Sequence, residues 1–260
     1  MGQLRDQKAQ DTQALNSLLH HQRPLCLEVC CSPASLLTKH VQDIAGESAG
    51  QRASHWNGYD VYKRKGLQKL REYRNELRPR HLWISLESRP WRRPQNLNQR
   101  NAKQIEELEH KRRRSMIAIR GLMNIARDQV KDGGEVHWEW PRGCDGWALK
   151  ELETMKRELN MHDAKCDGCQ VGSRTPDTKE LQYKPYTIRT TSSAMAEHMT
   201  LKCPRNHKHA ECLGGNRTGA SAYYPLPMVK RIVKVMMQEV ALLTFHDLLA
   251  KHERDHSLSA

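Results

Sequence analysis

Short apolar runs alternate along the chain with longer segments in which apolar residues recur at helical spacing. The run over residues 25–31 is closed by a Ser-Pro dipeptide and predicts a strand that is buried on both faces of a parallel sheet. Residues 81–86 and 135–140 predict two further strands, and we expect an extended segment over residues 55–61. Each predicted strand is separated from the next by enough chain to form a helix.

The segments between these strands predict helices. The longest spans residues 101–130, where apolar positions form one stripe and a Gly-Gly pair follows. A basic amphipathic helix precedes Pro79, and a final helix is entered through Pro225 and Pro227. Three successive alternations of strand and helix predict an α/β fold with a mostly parallel sheet and helices on both faces.

The last hundred residues differ from this regular alternation. Residues 160–222 are rich in Gly, Cys and turn residues, so we expect a small loop-rich segment with an antiparallel strand over residues 186–191. Residues 1–22 are polar and Gln-rich and predict a flexible lead-in, whereas residues 246–260 predict a charged tail. The pattern therefore predicts one domain over residues 23–245.

Charge narrows the choice of partner. The 260 residues include 43 Lys and Arg against 30 Asp and Glu, a formal net charge of +13. Such an excess favours nucleic acid as a partner, although a solvated basic surface gives the same composition. No apolar stretch is long enough to span a membrane, and the N-terminus lacks a secretory pattern. We therefore expect an intracellular protein of the nucleus or the cytoplasm.

Cysteine and histidine are concentrated in the loop-rich segment. Cys169 precedes a run that contains Cys203, His207 and His209, and thiols with imidazoles are the usual ligands of a structural zinc ion. A segment with few apolar residues gains stability from such a site. We expect these four residues to bind zinc, with ordinary loop cysteines and surface histidines as the alternative.

Four short motifs occur in a fixed order along the chain: Leu27-Glu28-Val29-Cys30-Cys31-Ser32-Pro33-Ala34, Asp60, Leu86-Glu87-Ser88 and Trp138-Glu139-Trp140-Pro141. From about Pro24 to Val240 this order resembles the cytosine-5 DNA methyltransferases, most closely the compact phage-type enzymes and the related domains of protist retroelement polyproteins. The resemblance implies a Rossmann-like fold that binds S-adenosylmethionine, and it makes DNA the expected nucleic acid rather than RNA.

The first two motifs correspond to the cofactor-binding part of that family. The resemblance implies that Glu28, Cys31, Ser32 and Ala34 line the cofactor and that Asp60 accepts a hydrogen bond from its adenine amino group. Ser32 and Ala34 stand where the family has Gly, and their side chains oppose a close approach of cofactor and backbone. A turn or helix-capping role explains Asp60 equally well.

Ser88 stands where the family has the cysteine that attacks C6 of cytosine. A thiol can ionise at accessible pH when its surroundings lower its pKa, whereas a serine hydroxyl needs a dedicated base. We therefore expect methyl transfer to be lost.

Glu139 and three basic residues correspond to groups that contact the target base. The resemblance implies that Glu139 holds the exocyclic amine and ring nitrogen of a flipped cytosine, with an ion pair at a strand end as the alternative. It further implies that Arg174 acts at the target base and that Lys184 and Arg189 contact the base or nearby phosphates.

Three functions fit these observations. We prefer a catalytically defective methyltransferase-like domain that binds nucleic acid through Arg89, Arg92, Arg93 and the basic run over residues 111–114. The alternatives are an active S-adenosylmethionine-dependent DNA methyltransferase and a non-enzymatic structural or interaction module of a retroelement polyprotein.

Overall fold

The computed structural model describes residues 23–93, 95, 101–210 and 223–257, and within them the chain forms one six-stranded sheet. The lead-in predicted for residues 1–22 lies outside the described residues. The strands are β1 (Cys26–Val29), β2 (Gly50–Ala53), β3 (His81–Ile84), β4 (Glu135–Pro141), β5 (His162–Asp167) and β6 (Pro185–Thr190). Their spatial order is β2-β1-β3-β4-β6-β5.

The sheet is mixed but mostly parallel. Strand β1 pairs in parallel with both β2 and β3, and β3 pairs in parallel with β4. Strand β6 is antiparallel to both of its neighbours, β4 and β5. The predicted α/β fold with a mostly parallel sheet is confirmed, as is the antiparallel strand in the loop-rich part.

Helices cover both faces of this sheet. They are α1 (Leu36–Ala45), α2 (Arg64–Leu77), α3 (Ala102–Lys131), α4 (Lys150–Glu158), α5 (Ser193–Met199) and α6 (Leu226–Ser257). One apolar cluster joins the sheet to α2, α3 and α4 through residues such as Leu70, Leu122 and Met155. The other joins it to α1, α5 and α6 through residues such as Leu37 and Ile232. The result is a three-layer α/β/α arrangement.

The longest predicted helix is confirmed, and its ends follow the local chemistry. The Asn101 side chain caps α3 by accepting a hydrogen bond of 3.0 Å from Gln104 N. Gly133 follows α3 with a φ of 70°, which a glycine adopts without strain.

The predicted elements differ from the structure in two places. The extended segment expected over residues 55–61 is wrong, because β2 precedes it and His55–Asn57 form a 3-10 turn. Strand β2 was not predicted, because it has only four residues and two of them, Gln51 and Arg52, are polar. It lies at the edge of the sheet. For the charged tail predicted over residues 246–260, the structure adds that α6 continues through Ser257.

A buried polar chain crosses the sheet under α6. His81 Nδ1 lies 3.1 Å from His137 Nε2, and His137 Nδ1 lies 2.8 Å from Thr190 Oγ1. Burial lowers the pKa of His81 to about 3, with a hydrogen bond to the Met236 backbone opposing the shift. Burial, followed by the charge of His81, also lowers the pKa of His137. Both rings are therefore neutral in the folded protein near pH 7.

The described helices were also compared with the dimensions of a lipid bilayer. Within the described part of the chain, each helix is either too short or too polar to cross a membrane.

Candidate functional site

The order of the strands defines where a ligand would bind. Going along the chain, the sheet grows outward from β1 to β2 and then resumes on the other side of β1 with β3. In open α/β sheets such a reversal leaves a crevice at the carboxyl ends of the two central strands. The crevice here is bounded by the residues that follow β1, β3 and β4.

At the β4 side of this crevice, one tyrosine connects three strand residues. Tyr224, just before α6, accepts a hydrogen bond of 3.1 Å from Trp83 Nε1 and contacts Ser85 Oγ at 2.9 Å. Its hydroxyl donates to Glu139 Oε2 at 2.9 Å. The polar contacts of this residue are thus with Trp83 of β3, with Ser85 just after it and with Glu139 of β4.

The Glu139 carboxylate has a distinct electrostatic environment. Burial raises its pKa, while the charge of Lys184, the hydrogen bond from Tyr224 and the charge of Arg92 each lower it. Burial also raises the pKa of Tyr224, followed by the nearby charge of Glu139, so the tyrosine remains a hydrogen-bond donor. A half-buried carboxylate held by one donor can accept further hydrogen bonds from a ligand.

Ser88 lies beside this group but its hydroxyl is not presented to solvent. The residue is 5% exposed, and Arg92 Nε donates to its Oγ at 3.3 Å. Ser88 also precedes the 3-10 turn Arg89–Trp91. The Cys144 thiol lies behind it, 4.0 Å from the Ser88 carbonyl oxygen, and burial raises the pKa of that thiol to about 11. No described group therefore stands in contact with Ser88 as a general base.

The β1 side of the crevice is a tight turn that uses its polar groups internally. Cys30 has a φ of 63° and donates from its backbone N to the Ala53 carbonyl at 3.0 Å. The Trp56 indole donates to the Cys31 carbonyl at 3.0 Å. Within the turn, Ala34 N donates to Ser32 Oγ at 3.1 Å. The left-handed residue is thus Cys30, and neither of the two positions where the family has Gly shows a positive φ.

Glu28 is placed beneath the crevice rather than at its surface. The residue is 1% exposed, and its carboxylate accepts hydrogen bonds from Ser35 Oγ at 2.6 Å and from Thr38 Oγ1 at 2.5 Å. Burial raises its pKa, although these hydrogen bonds oppose the shift. The predicted role of Glu28 in contacting a cofactor is corrected, because the structure uses this carboxylate to anchor the start of α1.

Asp60 shows the turn geometry that the sequence left as an alternative. Its Oδ1 accepts from Tyr62 N at 3.1 Å, and its Oδ2 lies 3.2 Å from Lys63 Nζ. The carboxylate is close enough to Cys30 to raise the pKa of that thiol, after the larger effect of burial. Gly66 packs on this turn so closely that an added Cβ would lie 2.1 Å from the Asp60 carbonyl oxygen.

Asp60 and Ser88 lie in the segments after β2 and β3, and Glu139 lies in β4, one residue beyond the last pair of β3 with β4. Because β2, β1, β3 and β4 are parallel, all three residues lie towards the carboxyl ends of these strands. Tyr62 lies close enough to Asp60 and to Glu87, the residue before Ser88, to be affected by the charges of both. Burial raises its pKa, followed by the charges of Glu87, Cys30 and, more weakly, Asp60. The arrangement on which the resemblance depends is therefore compatible with the strand topology.

Basic residues form the rim of the crevice next to β3. Arg112 donates to the Pro90 carbonyl at 3.1 Å and lies over the Trp91 ring, while Arg114 lies over Tyr62. Arg89 pairs with Glu87 at 3.1 Å, and Arg93 pairs with Asp145 at 3.1 Å. The predicted basic loop and part of the predicted basic run over residues 111–114 are thus brought together.

The three basic residues of the later motif occupy different environments. The exposed Arg174 donates to the Lys179 carbonyl at 2.7 Å within its own turn. Lys184 is half-buried, lies over the Tyr186 ring and contributes its charge near Glu139. Arg189 is 3% exposed and pairs with Asp163 at 2.8 Å and Glu153 at 2.9 Å. Its predicted contact with nucleic acid is corrected, because the guanidinium is buried among acidic partners.

The predicted cysteine and histidine cluster is confirmed as a group of side chains that could hold a metal ion. The ligand atoms of Cys169, Cys203, His207 and His209 all lie within 4.8 Å of one another. Cys203 Sγ is 3.5 Å from His209 Nε2 and 3.6 Å from His207 Nε2.

Neighbouring groups orient these ligands. Arg205, with a φ of 59°, directs its backbone N–H to Cys203 Sγ at 3.3 Å. His207 Nδ1 lies 3.0 Å from Asn206 Oδ1, which leaves the Nε2 lone pair directed at the cluster.

Comparison with known proteins adds no family to this picture. A scan against protein-family models finds no match, and searches of curated proteins and of solved structures find none either. The function therefore has to be argued from the geometry described above.

Sequence reasoning missed several residues of the site. Tyr224 donates to Glu139 and contacts Ser85, and Arg142 follows β4 directly. Ser85 was detectable because it is the first polar residue after a buried strand. Tyr224 carried no such signal, because it reaches β3 from 139 residues further along the chain.

Proposed function

We propose that this chain is a degenerate cytosine-5 DNA methyltransferase-like domain that binds DNA and has lost methyl transfer. The observation that carries the proposal is the Ser85–Tyr224–Glu139 group at the carboxyl ends of β3 and β4, flanked by Lys184 and Arg92. A fixed carboxylate at that position can accept hydrogen bonds from the amine edge of a base, and the surrounding cations favour its phosphates.

Loss of catalysis is supported by the position where the family has its nucleophile. Ser88 is buried, its hydroxyl accepts from Arg92, and it faces no general base among the described residues. The turn after β1 satisfies its own polar groups, which opposes cofactor binding. An active methyltransferase would require both features to rearrange.

Binding to mispaired duplexes tests the proposed role of Glu139. Mispaired bases leave the stack most easily, and only cytosine of the two pyrimidines carries an exocyclic amine. We expect the protein to bind a duplex with one mispaired cytosine about tenfold more tightly than one with a mispaired thymine. Glu139→Gln should remove this preference, whereas Glu87→Gln, a charge-matched change in the exposed loop, should keep it.

The same proteins test the alternatives. Calorimetry with S-adenosylmethionine should show no heat of binding, and radiolabelled methyl groups should not appear in DNA. Methyl transfer that is abolished by Ser88→Ala would establish the active enzyme instead. Failure to bind any duplex at low salt would favour the structural or interaction module.

We further propose that the cysteine and histidine cluster binds zinc. Bonds of about 2.3 Å to sulfur and about 2.0–2.1 Å to nitrogen at tetrahedral angles place a sulfur and a nitrogen ligand about 3.5 Å apart. The distances of 3.5 and 3.6 Å from Cys203 to the two imidazoles fit this spacing. Two thiols and two imidazoles form a closed set of four, which is typical of structural zinc.

Metal analysis of the purified protein tests the zinc proposal. We expect one zinc ion per chain and tetrahedral cobalt(II) absorption bands after replacement. Cys203→Ser and His207→Asn should abolish both signals, while Cys30→Ser and His198→Asn, which lie outside the cluster, should preserve them. A purified protein that holds no metal and gives no cobalt bands would contradict the proposal.

A further inference from the structure

Asp167 connects the metal cluster to the end of β4. The residue is 2% exposed, and its Oδ2 accepts from the backbone N of Cys203 at 2.7 Å. Its Oδ1 lies 2.8 Å from Arg142 Nη2. Cys169 follows two residues later, so one ligand is adjacent to Asp167 in sequence and another is bonded to it. A metal ion that joins Cys169 to Cys203 would close a loop around this carboxylate.

Arg142 has donors that the protein does not use. Its side chain is 29% exposed, and its backbone N donates to the Pro185 carbonyl at 3.0 Å. Its Nε is buried and has no hydrogen-bond acceptor among the residues that the structure describes. Buried guanidinium donors are normally satisfied, and their planar geometry matches two oxygens of a phosphate. The guanidinium is thus held by an ion pair with Asp167, while its Nε has no acceptor among the described residues.

Lys184 is fixed by the same segment. Gly168, which lies between Asp167 and Cys169, donates from its backbone N to the Lys184 carbonyl at 2.8 Å. The Lys184 ammonium lies 4.8 Å from the centre of the Tyr186 ring. The residues next to the candidate metal ligands therefore position Arg142, which follows β4, and Lys184, whose charge acts on Glu139.

We propose that metal binding at Cys169, Cys203, His207 and His209 fixes Arg142 and Lys184 as a phosphate-binding pair, so that the affinity for DNA depends on the metal. This inference rests on the proposed function, because it assigns a regulator to the same cleft. The metal takes no part in contacting DNA. It stabilises the loop through which Asp167 holds Arg142.

The test measures duplex DNA binding by fluorescence anisotropy over a range of salt concentrations, with zinc-loaded full-length protein and with chelator-treated protein. We expect chelation to weaken binding about tenfold and to lower the salt dependence by about one phosphate contact per cation lost. Arg142→Gln should weaken binding by the zinc-loaded protein several-fold and should reduce the further loss on chelation, leaving the part that acts through Lys184.

Arg127→Gln is the matched control. Arg127 pairs with Glu158 at 2.6 Å on the α3–α4 surface, so this change removes one paired arginine away from the crevice. Zinc content must stay at one ion per chain in both variants. If zinc-loaded Arg142→Gln binds DNA like Arg127→Gln, the inference is overturned, even where chelation unfolds the loop. If no form of the protein binds DNA, the proposed function itself fails.

Discussion

The carboxyl ends of β1 and β4 lie at the same edge of one sheet and differ in how their polar groups are used. After β1, the Ser32 side chain bonds within the turn, Trp56 from the segment after β2 donates to the Cys31 carbonyl, and the buried Glu28 anchors the start of α1. At the end of β4, Tyr224 donates to Glu139, and Arg142 Nε has no acceptor within the part of the chain that the structure describes. The comparison indicates that the β1 end is a self-sufficient structural turn, whereas the β4 end retains groups for a ligand.

Among the substitutions that test this comparison, the largest change in the free energy of unfolding is expected at Glu28. Glu28→Ala would leave the hydroxyls of Ser35 and Thr38 buried without their acceptor, which should lower the free energy of unfolding by about 3 kcal/mol. Chemical denaturation measures this change. Glu28→Gln keeps an acceptor oxygen and should cost less, and Glu47→Ala on the surface should cost little. A small effect of Glu28→Ala would mean that the β1 turn does not depend on its internal bonds.

Acidification should affect the region under β3 and β4. His81 binds fewer protons when folded, because its pKa is about 3 in the folded protein and 6.5 in a free histidine. Its stabilising effect is therefore complete above pH 6.5 and is lost as the pH falls towards 3. Lowering the pH from 6.5 to 5 should reduce the free energy of unfolding by about 2 kcal/mol through this residue. Denaturation at several pH values that shows a flat profile would contradict the buried histidine pair.

Tyr224→Phe tests whether the β4 end is organised by one hydroxyl. The change leaves Glu139, Ser85 and Trp83 without a shared partner and should lower the free energy of unfolding by about 1–2 kcal/mol. It should also reduce the preference for a mispaired cytosine, because the carboxylate loses its fixed orientation. Tyr223→Phe removes a hydroxyl from an exposed neighbour and serves as the control. Equal preferences in the two variants would show that Tyr224 is only structural.

The smallest effect is expected at Cys30. Cys30→Gly places a glycine at a φ of 63°, where an L-residue is strained, and should raise the free energy of unfolding by about 0.5 kcal/mol after the entropy of glycine is included. Cys30→Ala keeps the strain and should give no gain. Thermal denaturation compares the two. If Cys30→Gly is more stable and still does not bind S-adenosylmethionine, the result would support a purely structural role for this turn.

The parts of the fold that local pattern determines were predictable. The buried strands β1, β3 and β4 show continuous apolar runs, and α3 carries both its apolar stripe and its capping residues, so sequence alone located them. Strand β2 was missed because an edge strand of four residues shows little apolar pattern. The burial of Arg189 among acidic residues was also not predictable from sequence. Its partners lie on β5 and α4, and only the folded structure brings them together.

The two candidate sites also differed in how far the sequence alone could predict them. The candidate metal ligands lie in two short segments, Cys169 in one and Cys203, His207 and His209 in the other, and residue type was sufficient to choose all four. The crevice depends on contacts between segments that are distant in sequence. Its central residue is Tyr224, and the sequence does not show whether Tyr224 or its neighbour Tyr223 makes these contacts. Residue chemistry located Glu139, but the fold was needed to show which groups surround it.

The position of Tyr224 at the entry to α6 has a consequence for biosynthesis. Its hydroxyl completes a cleft whose other members lie on β3 and β4, 85 or more residues earlier. A ribosome must therefore finish most of the chain before this pocket can exist, and a nascent chain that stops before α6 would expose Trp83 and the apolar face of the sheet. If the proposed function holds, competence for binding DNA should arise late and abruptly during translation.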